Sequence, residues 1–190
     1  MESILGVVLC GGNSNRMGRD KSMIRHKNGL TFIEHAAERL KPICDEICLA
    51  DKLDSSADLV ALPDLIPNQG PIFGVLQALQ YAARQTGRNQ KYQACLITPV
   101  DMPNLTTDDL RKLILGWKMN NDLTYAVSGP KRKLQPLVGI YPTRLHNAIS
   151  LHAKTDSSLM RWIKKEEATQ VALDEVHCKN FNRPEDLTGI

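Results

Sequence analysis

A three-layer α/β/α fold around a mostly parallel sheet is the class this sequence predicts, and three observations predict it. Ile4 to Leu9 is an apolar run too short for a helix, interrupted only by Gly6 and stopped by Gly11-Gly12, as expected of a central parallel strand. Strand-like runs then alternate with helical patterns, the order from which parallel sheets are assembled. The polar, turn-rich stretches follow strands, at the carboxyl edge where open α/β sheets bind ligands.

The remaining elements follow in order. Asn28-Gly29 is a turn, and Thr31 with Glu34 forms a capping box opening a helix whose face is Phe32, Ile33, Ala36, Ala37 and Leu40, ended by Pro42. Glu46–Ala50 and Leu59–Leu62 are strands. Pro71 at a first helical position starts a helix to about Ala83, with Phe73, Leu76, Leu79 and Ala83 facing inward. Tyr92–Ile97 is a buried strand and Asp108–Trp117 a helix. Leu123–Ser128 and Leu134–Tyr141 are strands, the second broken by Pro136, so one of the pair lies at an edge or carries a bulge. Two helices, Thr143 to about His152 (Leu145, Ala148 and Ile149 inward) and Asp156–Lys165 (Leu159, Met160 and Ile163 inward), precede a last strand, Thr169–Leu173, and a short helix opened by Pro184.

Composition narrows the function classes. The 190 residues suit one domain, able to bury roughly 70% of its unfolded surface without staples. A hydrophobic content of 42% with 24% charged residues belongs to a soluble globular protein. No apolar run approaches the roughly 18 residues of a membrane span and no charged-then-apolar leader opens the chain, so the expectation is a cytoplasmic protein without membrane contact. The net charge of +3 is spread along the chain, which argues against nucleic acid as a partner. The five cysteines are odd in number, and Cys44-x-x-x-Cys48 lacks a second pair; they read as small buried hydrophobes, with neither disulfide nor structural metal expected. The histidines show no metal-ligand spacing.

Chemistry concentrates after the first strand. Gly11 and Gly12 permit a sharp turn that brings backbone N–H groups against an anion. Arg16 and Lys21 add a planar fork and a point charge, as a phosphate chain requires. The spacing is neither a Walker A loop nor G-x-G-x-x-G, and the absence of the latter disfavours a dinucleotide-dependent dehydrogenase. Asp101 follows a strand, a position commonly taken by a turn or helix cap. Here Pro99 and Pro103 stiffen its surroundings, and Thr106 or Thr107 is better placed to cap the next helix. A carboxylate facing a phosphate loop is the hard oxygen ligand that Mg²⁺ takes together with phosphate oxygens, which makes Asp101 a candidate for metal or nucleotide binding. Lys131-Arg132-Lys133 reads either as a solvated turn or as a contact for an anionic second substrate. Asn182 reads as a turn residue or N-cap.

Four ordered stretches carry a resemblance across nearly the whole chain: Leu9-Cys10-Gly11-Gly12 with Arg16-Met17-Gly18 and Lys21; Pro63-Asp64 with Gly70-Pro71-Ile72-Phe73-Gly74; Thr98 to Pro103; and Asn182 to Leu187. This pattern resembles the nucleotidyltransferases that make NDP-sugars and related conjugates, and within them the molybdenum cofactor guanylyltransferases. The resemblance implies a Rossmann-like nucleotidyltransferase fold in one domain, 1–190, with a nucleotide-binding half to about 105 and an acceptor-binding half from about 106. It implies transfer of GMP from GTP to the terminal phosphate of molybdenum-molybdopterin, Mg²⁺ as cofactor, and Arg16, Lys21 and Asp101 as the catalytic set.

The resemblance carries over Leu9, Cys10, Gly11, Gly12, Lys21, Asp64 and Asp101 as nucleotide contacts, Gln135 and Asn182 toward the acceptor and Asp101 on the metal, while their own chemistry adds Asp51 toward the nucleotide and Lys131 toward the acceptor. Two departures stand out: Cys10 replaces the usual Ala, and Ala50-Asp51 stands where the family has an Asn near the nucleotide. Asp51 either accepts N–H donors from a guanine edge or is solvent-exposed. Transfer from CTP, a different phosphorylated acceptor, or a regulatory module without turnover remain alternatives, as does transient contact with cofactor chaperones or target oxidoreductases.

Overall fold

The computed structural model describes residues 3–11, 24–25, 28–50, 59–62, 70–84, 92–182 and 186. Seven strands form one sheet: β1 (Ile4–Leu9), β2 (Glu46–Ala50), β3 (Val60–Leu62), β4 (Ala94–Pro99), β5 (Thr124–Ser128), β6 (Lys133–Pro142) and β7 (Thr169–Leu173), in the order β3-β2-β1-β4-β6-β5-β7. Every neighbouring pair is parallel except those made by β6, which runs antiparallel to both β4 and β5. The carboxyl ends of six strands and the amino end of β6 therefore share one edge, and this edge collects the segments that the sequence marks for chemistry.

Alternation along β1 builds the layers. Ile4 and Val8 face a core shared with α1 (Phe32–Leu40) and α3 (Thr107–Asn120); Leu5, Val7 and Leu9 face a core shared with α2 (Pro71–Arg84), α4 (His146–Ala153) and α5 (Leu159–Ile163). Such burial on both faces is why β1 reads as an unbroken apolar run. The five cysteines are free thiols; burial, reinforced by Asp45, pushes Cys44 up to about 12, which keeps it protonated and inert.

Several predicted elements shift in detail. In α2 the buried stripe is Ile72, Gly74, Val75, Ala78, Leu79 and Ala82, whereas Phe73 and Leu76 are only half-buried. Ala148 of α4 is exposed, leaving Ile149 as that helix's buried residue. The helix expected from Asp156 to Lys165 contracts to Leu159–Ile163, because Ser158 caps it by accepting the Arg161 amide. The Pro136 irregularity resolves as a bulge in an interior strand: Tyr125 pairs with Gly139 but Ala126 with Gln135. Pro184 lies outside the described residues.

Candidate active site

The site is built first from the end of β1. The Cys10 amide donates to the Ala50 carbonyl at 3.0 Å and the Val100 amide to the Leu9 carbonyl at 3.1 Å, so β1 is gripped from both neighbours to its last residue. Beyond this grip Gly11 emerges exposed. Leu9 is 4% exposed and its side chain belongs to the α2-side core, so only its backbone can meet a nucleotide. Cys10 is half-buried, its Sγ 3.6 Å from the Val8 carbonyl. Gly12, Arg16, Lys21, Asp51 and Asp64 lie outside the described residues.

Asp101 follows β4 on the adjacent position of the same edge and is half-buried. Its carbonyl accepts the Phe181 amide at 2.8 Å. That bond draws the segment after β7 across the end of β4 and brings Asn182 beside the Asp101 turn; the Asn182 amide in turn donates to Asp186 Oδ2 at 2.9 Å. Phe181, 4% exposed, anchors the crossing in the core.

The β5–β6 hairpin completes the edge. Gly129 takes a positive φ of 68°, and a side chain there would meet the Glu175 carboxylate, so the post-β7 segment packs directly on the turn. Lys131 is exposed on this turn, while the Arg132 guanidinium donates to Gln170 Oε1 at 3.1 Å. Ile97 pairs with Gly139, the last pair between β4 and β6, and beyond it the bulge in β6 brings Gln135 opposite Ala126 of β5. Gln135 is 7% exposed and its Nε2 donates to Ser128 Oγ at 2.9 Å, so its side chain braces the hairpin from within. The Cys178 thiol is pushed up to about 11, chiefly by burial.

Among the described residues no three His, Cys, Asp or Glu side chains gather as a metal cluster. A half-buried carboxylate with a neighbouring amide suits Mg²⁺ nonetheless, because that ion commonly uses one or two carboxylates and takes its other ligands from substrate phosphates and water. Two groups that sequence reasoning missed support the Asp101 turn from α1. Arg39 Nη1 donates to the Met102, Pro103 and Leu105 carbonyls, and His35 Nε2 lies 3.0 Å from the Pro103 carbonyl. Burial lowers the Arg39 guanidinium to about 10, with Asp109 opposing that shift, so it stays charged at neutral pH.

The MobA-like NTP transferase domain model matches residues 6–171. The chain belongs to this family. It is accordingly a nucleotidyltransferase, and named relatives match it over most of their length. A protein of Rhodopirellula baltica named probable molybdenum cofactor guanylyltransferase is 35% identical, the match covering 97% of this chain and 90% of that one. A Flavobacterium johnsoniae protein with the same name is 27% identical over 100% of this chain and 97% of its own. Among solved structures, molybdopterin-guanine dinucleotide biosynthesis protein A from Archaeoglobus fulgidus superposes with a TM-score of 0.74 at 20% identity, covering 97% of this chain and 95% of that one. In an open α/β sheet the carboxyl edge, here formed by the ends of β1 and β4 with the β5–β6 hairpin, is where ligands usually bind.

Proposed function

We propose that this chain transfers GMP from GTP to the terminal phosphate of molybdenum-molybdopterin, with release of pyrophosphate. The observation that carries the reading is the convergence at one edge of Gly11, Asp101, Asn182 and the Lys131 hairpin, in a family whose relatives are named guanylyltransferases. An acceptor phosphate oxygen attacks the α-phosphorus as the bond to the β-phosphate oxygen breaks, and pyrophosphate leaves with that electron pair. The attacking oxygen is already anionic at neutral pH, so no Ser, Cys or His base is needed. The protein's task is to hold two anions together in line, which positioning and electrostatic stabilisation supply.

In this reading Gly11 and Gly12 offer backbone N–H groups to the triphosphate, and Arg16 and Lys21 take the charge that develops on departing pyrophosphate. Leu9 and Cys10 contact the nucleotide through their backbone, with Asp51 and Asp64 toward base and ribose. Asp101 would hold Mg²⁺, which when bound neutralises charge shared by the phosphates. Asn182 and Lys131 orient the acceptor, and Gln135 keeps the hairpin in place.

Calorimetric titration with GTP, CTP and ATP, with and without Mg²⁺, tests base choice: a preference for GTP of tenfold or more, about 1.4 kcal/mol, is expected. A preference for CTP would change the product while keeping the chemistry. In turnover with molybdopterin, Asp101→Ala and Lys21→Ala should each lose on the order of 100-fold to 1,000-fold in rate. Near wild-type turnover in either variant would sink its assigned role.

A further inference from the structure

Helix α1 bears on the Asp101 turn through a residue whose placement packing alone does not explain. Arg39 occupies the last turn of the helix and is 7% exposed. Its Nη1 donates to three carbonyls, Met102 at 2.9 Å, Pro103 at 3.1 Å and Leu105 at 2.8 Å, which lie one, two and four residues after Asp101. The Thr107 hydroxyl closes the ring by donating to the Arg39 carbonyl at 3.1 Å. From one turn earlier, His35 reaches the same Pro103 carbonyl.

A helix required only to pack would do better with an apolar side chain here, because desolvating a guanidinium is costly and its buried Nε and Nη2 have no protein partner. What the arginine supplies is a fixed path for the backbone leaving Asp101. The Phe181 amide fixes the Asp101 carbonyl itself, so the turn is held on both sides. The other end of α1 is tied upstream: the Phe32 amide donates to the Ile24 carbonyl at 2.8 Å and Arg25 bridges to Thr31, just after the stretch that carries Arg16 and Lys21. One helix thus braces the Asp101 turn and the segment that closes the glycine-rich stretch.

We propose that Arg39 is a positioning residue for Asp101, fixing its turn so that the carboxylate meets a divalent cation together with nucleotide phosphates; this rests on the metal role assigned to Asp101 above. Residues that orient a metal ligand typically change affinity by about 10-fold to 100-fold when replaced. A group that serves folding alone would not discriminate between metal-loaded and metal-free nucleotide.

The test is Mn²⁺ titration followed by electron paramagnetic resonance, on wild type, Arg39→Lys, Arg39→Met and Asp101→Asn, each with saturating GTP, beside calorimetry of GTP without metal. Arg39→Met should weaken Mn²⁺ binding about tenfold while metal-free GTP affinity stays within about twofold. Arg39→Lys should fall between the two, and it carries the test alone if Arg39→Met does not fold. Wild-type Mn²⁺ affinity in the folded Arg39 variants, with loss in Asp101→Asn, overturns the positioning role and leaves the metal role of Asp101 standing. Equal loss of metal-free GTP binding in the Arg39 variants also overturns it. Unchanged Mn²⁺ binding in Asp101→Asn, or none in wild type, overturns both.

Discussion

Helices α1 and α3 each begin on a threonine answered three residues later by a carboxylate, yet the two capping boxes differ in which member is buried, the threonine in α1 and the carboxylate in α3. In α1, the buried Thr31 and the half-buried Glu34 satisfy each other's donors. In α3, Thr106 and Asp109 make the same reciprocal bonds, but Asp109 is 1% exposed and also meets His177 Nδ1 at 2.8 Å and Lys112 Nζ at 3.3 Å. The first box starts a helix. The second also ties the start of α3 to the segment that runs from His177 to Asn182, and so bears on the candidate site. A local motif gains tertiary consequence when its carboxylate is desolvated against a partner distant in sequence.

Removing Asp109 should therefore produce the largest difference between the two. Asp109→Ala leaves Thr106 without its answering carboxylate, deprives His177 of its partner and removes the anion that favours charged Arg39. The cationic partners of Asp109 are themselves partly exposed, so the loss should be about 2 kcal/mol, chiefly from the cap donors left without their acceptor. Urea unfolding would measure it, and a loss below about 1 kcal/mol would place Asp109 with ordinary caps. Next in size, Thr106→Ala should cost about 1–2 kcal/mol and Thr31→Ala about 1 kcal/mol, by the same assay. Equal values for Asp109→Ala and Glu34→Ala would erase the distinction drawn between the boxes.

The contrast also explains what the sequence made legible. β2 and β7 are found at their predicted bounds, because each is a short apolar or β-branched run between turns. The α1 box was readable from Thr31 and Glu34 alone, and the meeting of the β1 and β4 ends followed from strand alternation. Arg39 was not readable: Glu38-Arg39 looks like a solvated pair, and position 39 lies about 60° around the helix from Ala36, at the flank of the apolar stripe. Its burial depends on carbonyls more than sixty residues away, which no local pattern records. The His177–Asp109 pairing is hidden for the same reason, and the α2 face was misread because apolar residues surround much of that helix.

Acid should sharpen the comparison through the smallest effects. Burial works against ionised Asp109, but the Thr106 hydroxyl and amide, then His177 and Lys112, hold its carboxyl below the usual carboxylate range. The Thr31 amide and hydroxyl, with help from Arg25, lower Glu34 against a smaller opposing effect of burial. A carboxyl lowered on folding binds fewer protons in the native state than in the unfolded chain, so its contribution is complete above the ordinary value of about 4 and is lost as pH falls through the folded value. The stability gap between wild type and Asp109→Asn should accordingly be widest near neutrality and close progressively below about pH 4. Glu34→Gln should show a gap of about 0.5 kcal/mol with the same sign, since a carboxylate with no partner distant in sequence contributes at the low end of the capping range. A gap for Asp109→Asn that widened on acidification would mean that its carboxyl is raised in the fold, and that the post-β7 segment is held by something other than its charge.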